Sequence, residues 1–265
     1  MHVTKRPGPG AGALVAWGNA WLTGHVGLDE AVDAVERVAG PCVLDGETAE
    51  ISLRRGLGEL RVEGMTGLRL ALPTPGDPLG LTGPPGLNSA AIEAGAAVLA
   101  DLDGRCVGLL PGEDRRGSSY LGVRWTRMEA RLGLPDVPSL AEADHQLTMA
   151  VREVTEALLT VDDVSGRAAD PEIMKTLAAL RESPSRGPNP PESQDGLAPG
   201  YPPRAHRVAA LAGRLTVVVD LARALDGRNL NADQMRRRTA ALTTLDRAVR
   251  RAKVAAHNSA QPARK

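Results

Sequence analysis

Large aromatic rings are almost missing from this chain. It has no Phe, and two Tyr and three Trp are its whole aromatic complement in 265 residues. A core without rings buries less area per side chain. Leu, Val and Ala must supply it, and helices packed closely through Ala and Gly are the expected solution. Cysteine is scarce too: Cys42 and Cys106 stand far apart, and neither belongs to a Cys-x-x-Cys pair. That excludes a disulfide framework and gives zinc no thiolate spacing. No stretch approaches the roughly 18 apolar residues needed to span a bilayer. An excess of one charge is also lacking, with 32 basic against 32 acidic side chains, which argues against a dedicated nucleic-acid protein. The hydrophobic fraction of 42% and charged fraction of 24% exclude a wholly disordered chain.

The charge is unevenly spread. From Asn231 onward nine basic residues face two acidic ones, Asp233 and Asp246, so this segment carries +7 and the rest −7. At the other end Lys5 and Arg6 precede the apolar run Ala11–Trp17, but Gly18 and Asn19 interrupt it. No convincing small-x-small cleavage site follows. A cytoplasmic chain with reduced thiols is expected.

Periodicity divides the chain into two halves. Residues 1–10 read as a mobile tail. A helix from about Gly12 to Thr23 places Leu14, Trp17, Gly18 and Trp21 on one face, and a second runs from Leu28 to Val38 with Leu28, Ala31, Val32 and Val35 inward. From Pro41 to Leu60 a weak helix is expected, because Leu53, Leu57 and Leu60 have helical spacing while Gly56 and Gly58 each cost roughly 1 kcal/mol in a helix interior. A strand over Leu68–Leu72 leads into a Pro/Gly loop, 73–86, and then a short helical turn from Asn88 to Ala94. Asp103-Gly104 between two apolar runs is a hairpin signal, and another strand spans Tyr120–Met128.

After Pro138 strand patterns stop. Ser139 and Glu142 fit a capping box opening a helix to about Val164, with a shorter helix at 170–181. Residues 183–203 hold seven Pro and read as a linker or mobile loop. The helix 204–225 is apolar nearly all round, so more than one neighbour must cover it. The last helix starts at Asn231 and runs to about Asn258. The expected fold class is therefore α+β: N-terminal helices with a small, mostly antiparallel sheet at 11–134, then a C-terminal all-α helical bundle at 139–260.

Motifs for chemistry are sparse. The five histidines are scattered without metal-ligand spacing. His145, beside Asp144, projects away from its helix's apolar stripe and reads as a surface residue. Ser118-Ser119 lack a nucleophile elbow, and no glycine cluster has a phosphate-loop context. Neither thiol sits where its pKa would fall, and Cys106 reads as buried and inert. No catalytic residue, metal or cofactor is implied.

Two features stand out. Asp77 is the one ionisable residue of the 73–86 loop and the candidate ligand contact there. In the last helix Leu242, Leu245, Val249, Ala252 and Ala256 gather on one side, and Arg236, Arg247, Arg250 and Arg251 on the other, with Arg237 at the edge. These arginines form a candidate partner-binding face, or one docked on the acidic helix 139–164. Met235, Leu242, Val249 and Ala256 recur every seven residues, as a helix pair requires, which makes a second copy of the chain one candidate partner.

Four phrases, Trp17-Gly18-Asn19-Ala20-Trp21-Leu22, Leu28-Asp29-Glu30-Ala31-Val32, Leu72-Pro73-Thr74-Pro75-Gly76-Asp77 and Pro199-Gly200-Tyr201-Pro202-Pro203-Arg204-Ala205, resemble uncharacterised proteins of high-GC actinobacteria. The resemblance implies no activity. The preferred reading is a cytoplasmic, non-catalytic interaction or scaffold protein working through helix surfaces. One alternative is an enzyme or small-ligand binder using the 73–86 loop, marked by a pocket lined by Asp77, Trp125 or Tyr120. Another is electrostatic nucleic-acid binding by the last helix, marked by a basic ridge free of acidic neighbours. No membrane partner is expected.

Overall fold

A computed structural model describes residues 10–46, 49–116, 120–133, 135–165, 196–224 and 232–260. Its elements in chain order are α1 (Ala11–Leu22), α2 (Leu28–Ala39), β1 (Cys42–Asp45), β2 (Glu50–Ser52), α3 (Leu53–Val62), β3 (Gly67–Ala71), α4 (Pro85–Ala94), β4 (Ala97–Leu102), β5 (Arg105–Arg116), β6 (Tyr120–Ala130), α5 (Leu140–Ser165), α6 (Pro203–Ala224) and α7 (Ala232–His257), closed by a 3-10 turn at Asn258–Ala260. The fold is α+β. Its sheet has six strands in the order β2-β1-β6-β5-β4-β3. Every neighbouring pair is antiparallel except β1 with β6.

The expected weak helix at 41–60 needs correction. That stretch holds β1 and β2, and its helix, α3, begins only at Leu53. Ser52 caps α3 by accepting from the Arg55 N–H. Gly56 is there for contact, because a Cβ at this position would lie 2.4 Å from Leu44 Cδ2, so glycine lets α3 close on β1. The approach offsets the propensity cost that the sequence alone suggests. The expected turn at 88–94 begins earlier, at Pro85, with proline at the first helical position, where its missing N–H costs nothing.

One face of the sheet carries Leu44, Leu68, Leu70, Val98, Ala100, Val107, Leu109, Val123 and Trp125, packed beneath α1, α2 and α3. On the other face α4 sets Leu87 and Ala91 against Ala97, Leu99, Cys106 and Leu110. Trp125, Val123 and Leu109 are essentially fully buried. Trp17 and Trp21, on the stripe expected of α1, are partly buried against the first core.

Helix α7 packs along both α5 and α6, which touch each other much less. It runs antiparallel to α6: Arg238, near its start, donates to the Ala222 carbonyl, and the His257 carbonyl at its end accepts from Tyr201 just ahead of α6. The heptad residues Leu242, Val249 and Ala256 are buried within the monomer. Residues 196–202, which the linker at 183–203 was expected to include, are ordered. Leu197, Ala198 and Tyr201 are buried in the helical core, and this anchoring overrides a composition rich in Pro and Gly. Pro203 opens α6, and residues 183–195 of that linker, the expected helix 170–181, Ser118-Ser119 and the cap at Asn231 lie outside the described residues.

The two halves share core residues. Ala16 and Ala20 of α1 belong to the helical core, and Val254 of α7 belongs to the sheet core. The joint is the outer edge of β3, where no strand pairs. There the Asn19 amide donates to the Leu68 carbonyl and accepts from the Leu68 N–H, both at 2.8 Å. One step along, Asn258 accepts from the Leu70 N–H at 2.7 Å and donates to its carbonyl at 3.1 Å. Gly18 permits this docking, since a Cβ there would lie 2.3 Å from Leu68 Cδ1. Asn19→Ala should cost roughly 2–4 kcal/mol, because it strands a buried donor and a buried acceptor together. Urea unfolding measures this, and a loss under about 0.5 kcal/mol would mean that the edge is satisfied in another way.

Candidate functional site

The structure brings two of the sequence features together. Asp77 closes a tight turn in which Thr74 and Asp77 exchange both backbone hydrogen bonds at 2.9 Å. Its carboxylate, only 9% exposed, faces α7. Arg250 Nη2 donates to Oδ2 at 3.1 Å, Arg251 Nη2 donates to Oδ1 at 3.2 Å, and Arg247 Nε lies 3.6 Å from Oδ2. Other acceptors hold the same guanidiniums. Arg250 donates to the Leu72 carbonyl at 2.9 Å and to Asp246, and Arg251 reaches Asp136. Leu72 follows Leu68 and Leu70 on the β3 side of the chain, so Arg250 carries on the edge contacts that Asn19 and Asn258 begin.

The basic face of the last helix is thus divided. Arg250 and Arg251 are mostly buried and dock on the 73–86 loop, whereas the sequence left this face either free or docked on the acidic helix 139–164. Asp144 of that helix instead pairs with Arg204 and Arg207 of α6. Arg247 remains 60% exposed. Arg236 pairs with Asp233 on the surface of its own helix, a type of contact that contributes little. Arg237 is exposed.

Other charged groups sit on the sheet. Arg116 and Arg124 bridge Glu50 and Asp114, and Arg124 also reaches Asp45, on the part of the face that α4 leaves open. Arg69 and Asp101 form a two-point buried pair at 2.8 and 2.9 Å. Glu63, at the end of α3, takes Arg127 Nη1 at 2.8 Å and also pairs with Arg105. A shallow cavity of about 370 Å³ is walled by Arg105–Val107 and Arg127–Ala130; Asp77, Trp125 and Tyr120 do not line it. Burial pushes the thiols of Cys42 and Cys106 up to about 11. His145 is exposed. Among the described residues no cluster of His, Cys, Asp and Glu has the grouping of a metal site, and no helix is long and apolar enough to cross a membrane.

Sequence reasoning missed the asparagines. Asn19 is buried in a helix whose other inward residues are Ala, Leu, Val and Gly, and that oddity was the available signal. Tyr201, also buried at this joint, donates to the His257 carbonyl at 2.8 Å. Burial pushes its phenol up, with the Asn19 amide beside it pulling the other way.

Residues 11–140 match the family model described as Rv1486c-like protein, N-terminal domain, and residues 141–254 match that of the C-terminal domain. The chain belongs to the Rv1486c-like family. Two relatives from Mycobacterium tuberculosis, an actinobacterium, are named Uncharacterized protein MT1533 (strain CDC 1551 / Oshkosh) and Uncharacterized protein Rv1486c (strain H37Rv). Each is 28% identical over 284 residues, covering 92% of this chain and 94% of its own. No solved structure matches the chain. The resemblance to uncharacterised actinobacterial proteins therefore holds, and the family carries no assigned function.

Two measurements follow. A double-mutant cycle over Asp77→Ala and Arg250→Ala should return a coupling of about 1–3 kcal/mol; a value near zero would mean that the two groups stabilise the fold independently. For Glu63, Arg127 and Arg105 hold the carboxyl below its ordinary 4.5. A lowered folded pKa contributes stability above the unfolded pKa, and that stability is lost as pH falls through the folded value. The advantage of the wild type over Glu63→Gln in urea should therefore be constant above about pH 5 and shrink steadily below 4.5. A difference independent of pH would remove the ion pair as its cause.

Proposed function

We propose that this is a cytoplasmic, non-catalytic interaction protein, in which α5, α6 and α7 form a helical bundle that presents its surface to a protein partner. One observation carries this: among the described residues α7 is buried at one end and mostly exposed at the other. From Ala252 onward every residue but Lys253 is buried up to His257, whereas Ala232, Asp233, Met235, Arg236, Arg237, Thr239 and Ala240 are all exposed. An exposed basic surface on a helix anchored at its far end is suited to recognition rather than to packing. Val217 on α6, 61% exposed, and Met149 on α5, 49% exposed, add apolar contact area on the same group of helices.

The rival readings draw less support. Arg250 and Arg251 occupy the Asp77 carboxylate, so the 73–86 loop acts as a clamp. The arginine row has acidic neighbours in Asp233, Asp246, Asp77 and Asp136, which weakens the field that a phosphate backbone would meet. Two free, buried thiols on opposite faces of the sheet suit a reducing compartment.

Site-specific photocrosslinking tests the proposal. A benzophenone side chain at position 237 or 217 should give a discrete protein adduct in native lysate, and one at position 62, on the exposed end of α3, should give none. Adducts from position 62 alone would move the interaction to the sheet domain and defeat the reading.

A further inference from the structure

The exposed face of α7 has a pattern of its own. At 100° per residue, Arg236, Ala240, Thr243 and Arg247 fall within about 60° of one another, with Arg237 and Thr244 alongside, and all six are exposed. Arg236 and Arg247 are eleven residues apart. That is three turns, or about 16 Å along the axis. Between them on this face stand Thr239, Ala240, Thr243 and Thr244. Cations therefore mark both ends of a stretch whose middle has no long side chain. The opposite side of α7 is taken by α5 and α6, so a further helix could lie on this face as a third neighbour.

We infer that this face docks an acidic helix of a partner protein, with carboxylates about three turns apart and short side chains between them. The inference rests on the reading of the protein as an interaction module and supplies the chemistry of its partner. Charge complementarity sets the register: one carboxylate group meets Arg236 and Arg237, and the second meets Arg247. Arg236 and Asp233 are each more than 70% exposed, so their pairing yields readily to a better acceptor. Arg247 touches Asp77 only at 3.6 Å, because Arg250 and Arg251 already fill that carboxylate. The small middle lets two helix axes approach to about 8 Å, the near end of the range for packed helices. A duplex fits less well, since it calls for cations along the whole row and no aromatic is interleaved for stacking on a single strand.

The test uses the full chain and a capped Ala/Gln peptide with two Glu pairs eleven residues apart, read by fluorescence anisotropy at low salt. A peptide of identical composition with the Glu pairs six residues apart puts them on different faces. The matched peptide should bind at least about fivefold more tightly, and Arg236→Glu with Arg237→Glu should abolish that preference. These side chains are exposed, so circular dichroism should show the fold unchanged. Arg247→Gln should reduce the preference by itself. Equal binding of the two peptides, or a preference indifferent to the arginines, overturns the inference. So does a 20-base-pair DNA duplex that binds more tightly than the matched peptide with the same arginine dependence, which would make the ligand a nucleic acid. If the peptides fail while crosslinks at position 237 or 217 succeed, the interaction module stands and only its partner's chemistry is wrong.

Discussion

An unpaired strand edge is the constraint around which this molecule is built. A strand exposes a backbone donor and acceptor at every second residue, and leaving them buried without partners costs about as much as lost hydrogen bonds. The edge of β3 lies inside the protein, between the sheet and the last helix. Among the described residues no seventh strand satisfies it. Side chains take the strand's place: Asn19 at Leu68, Asn258 at Leu70 and Arg250 at the Leu72 carbonyl. A carboxamide presents an N–H donor and its carbonyl acceptor side by side, so each asparagine can meet the N–H and C=O of one edge residue as a neighbouring strand would. The substitutes come from opposite ends of the chain, and the edge is complete only when α1 and α7 are both docked.

This explains how the last helix uses its charge. Near the sheet, Arg250 and Arg251 are spent on Asp77, Asp136 and the Leu72 carbonyl, and the surrounding residues are buried. A few turns away the same helix carries Arg236 and Arg237 into solvent. A +7 segment read as one basic stripe is therefore two surfaces with different roles, one holding the halves together and one facing outward.

Much of the architecture was legible in the sequence. The 3.6-residue period of Leu28–Val38, the Asp103-Gly104 turn and the Ser139–Glu142 box are local signals, and each is met by the helix, hairpin or cap that it implies; Ser139 N donates to Glu142 at 2.9 Å. What stayed hidden depends on distance along the chain. Strands β1 and β2 are four and three residues long, too short for a period to appear, and β1 finds its parallel neighbour about eighty residues away. Asn19 and Asn258 read as ordinary polar residues until the strand they complete is in view. Arg236, Arg237, Arg247, Arg250 and Arg251 read as one face, yet nothing local says that a carboxylate 170 or more residues earlier faces two of them. The match of residues 11–140 and 141–254 to separate family models is compatible with a shared core, since residues of α1 and α7 pack across that division.

Completing the β3 edge should make the two halves fold together. Trp125 is buried in the sheet core, whereas Trp17 packs against both cores, so with Trp17 replaced by Leu the remaining fluorescence is weighted toward the sheet domain, while ellipticity at 222 nm is weighted toward the long helices of the second half. Followed together through a urea titration, the two signals should trace one coincident transition, and both should shift equally in Asn258→Ala. Two separated transitions, or a shift confined to the ellipticity, would show that the halves fold independently and that the β3 edge does not join them.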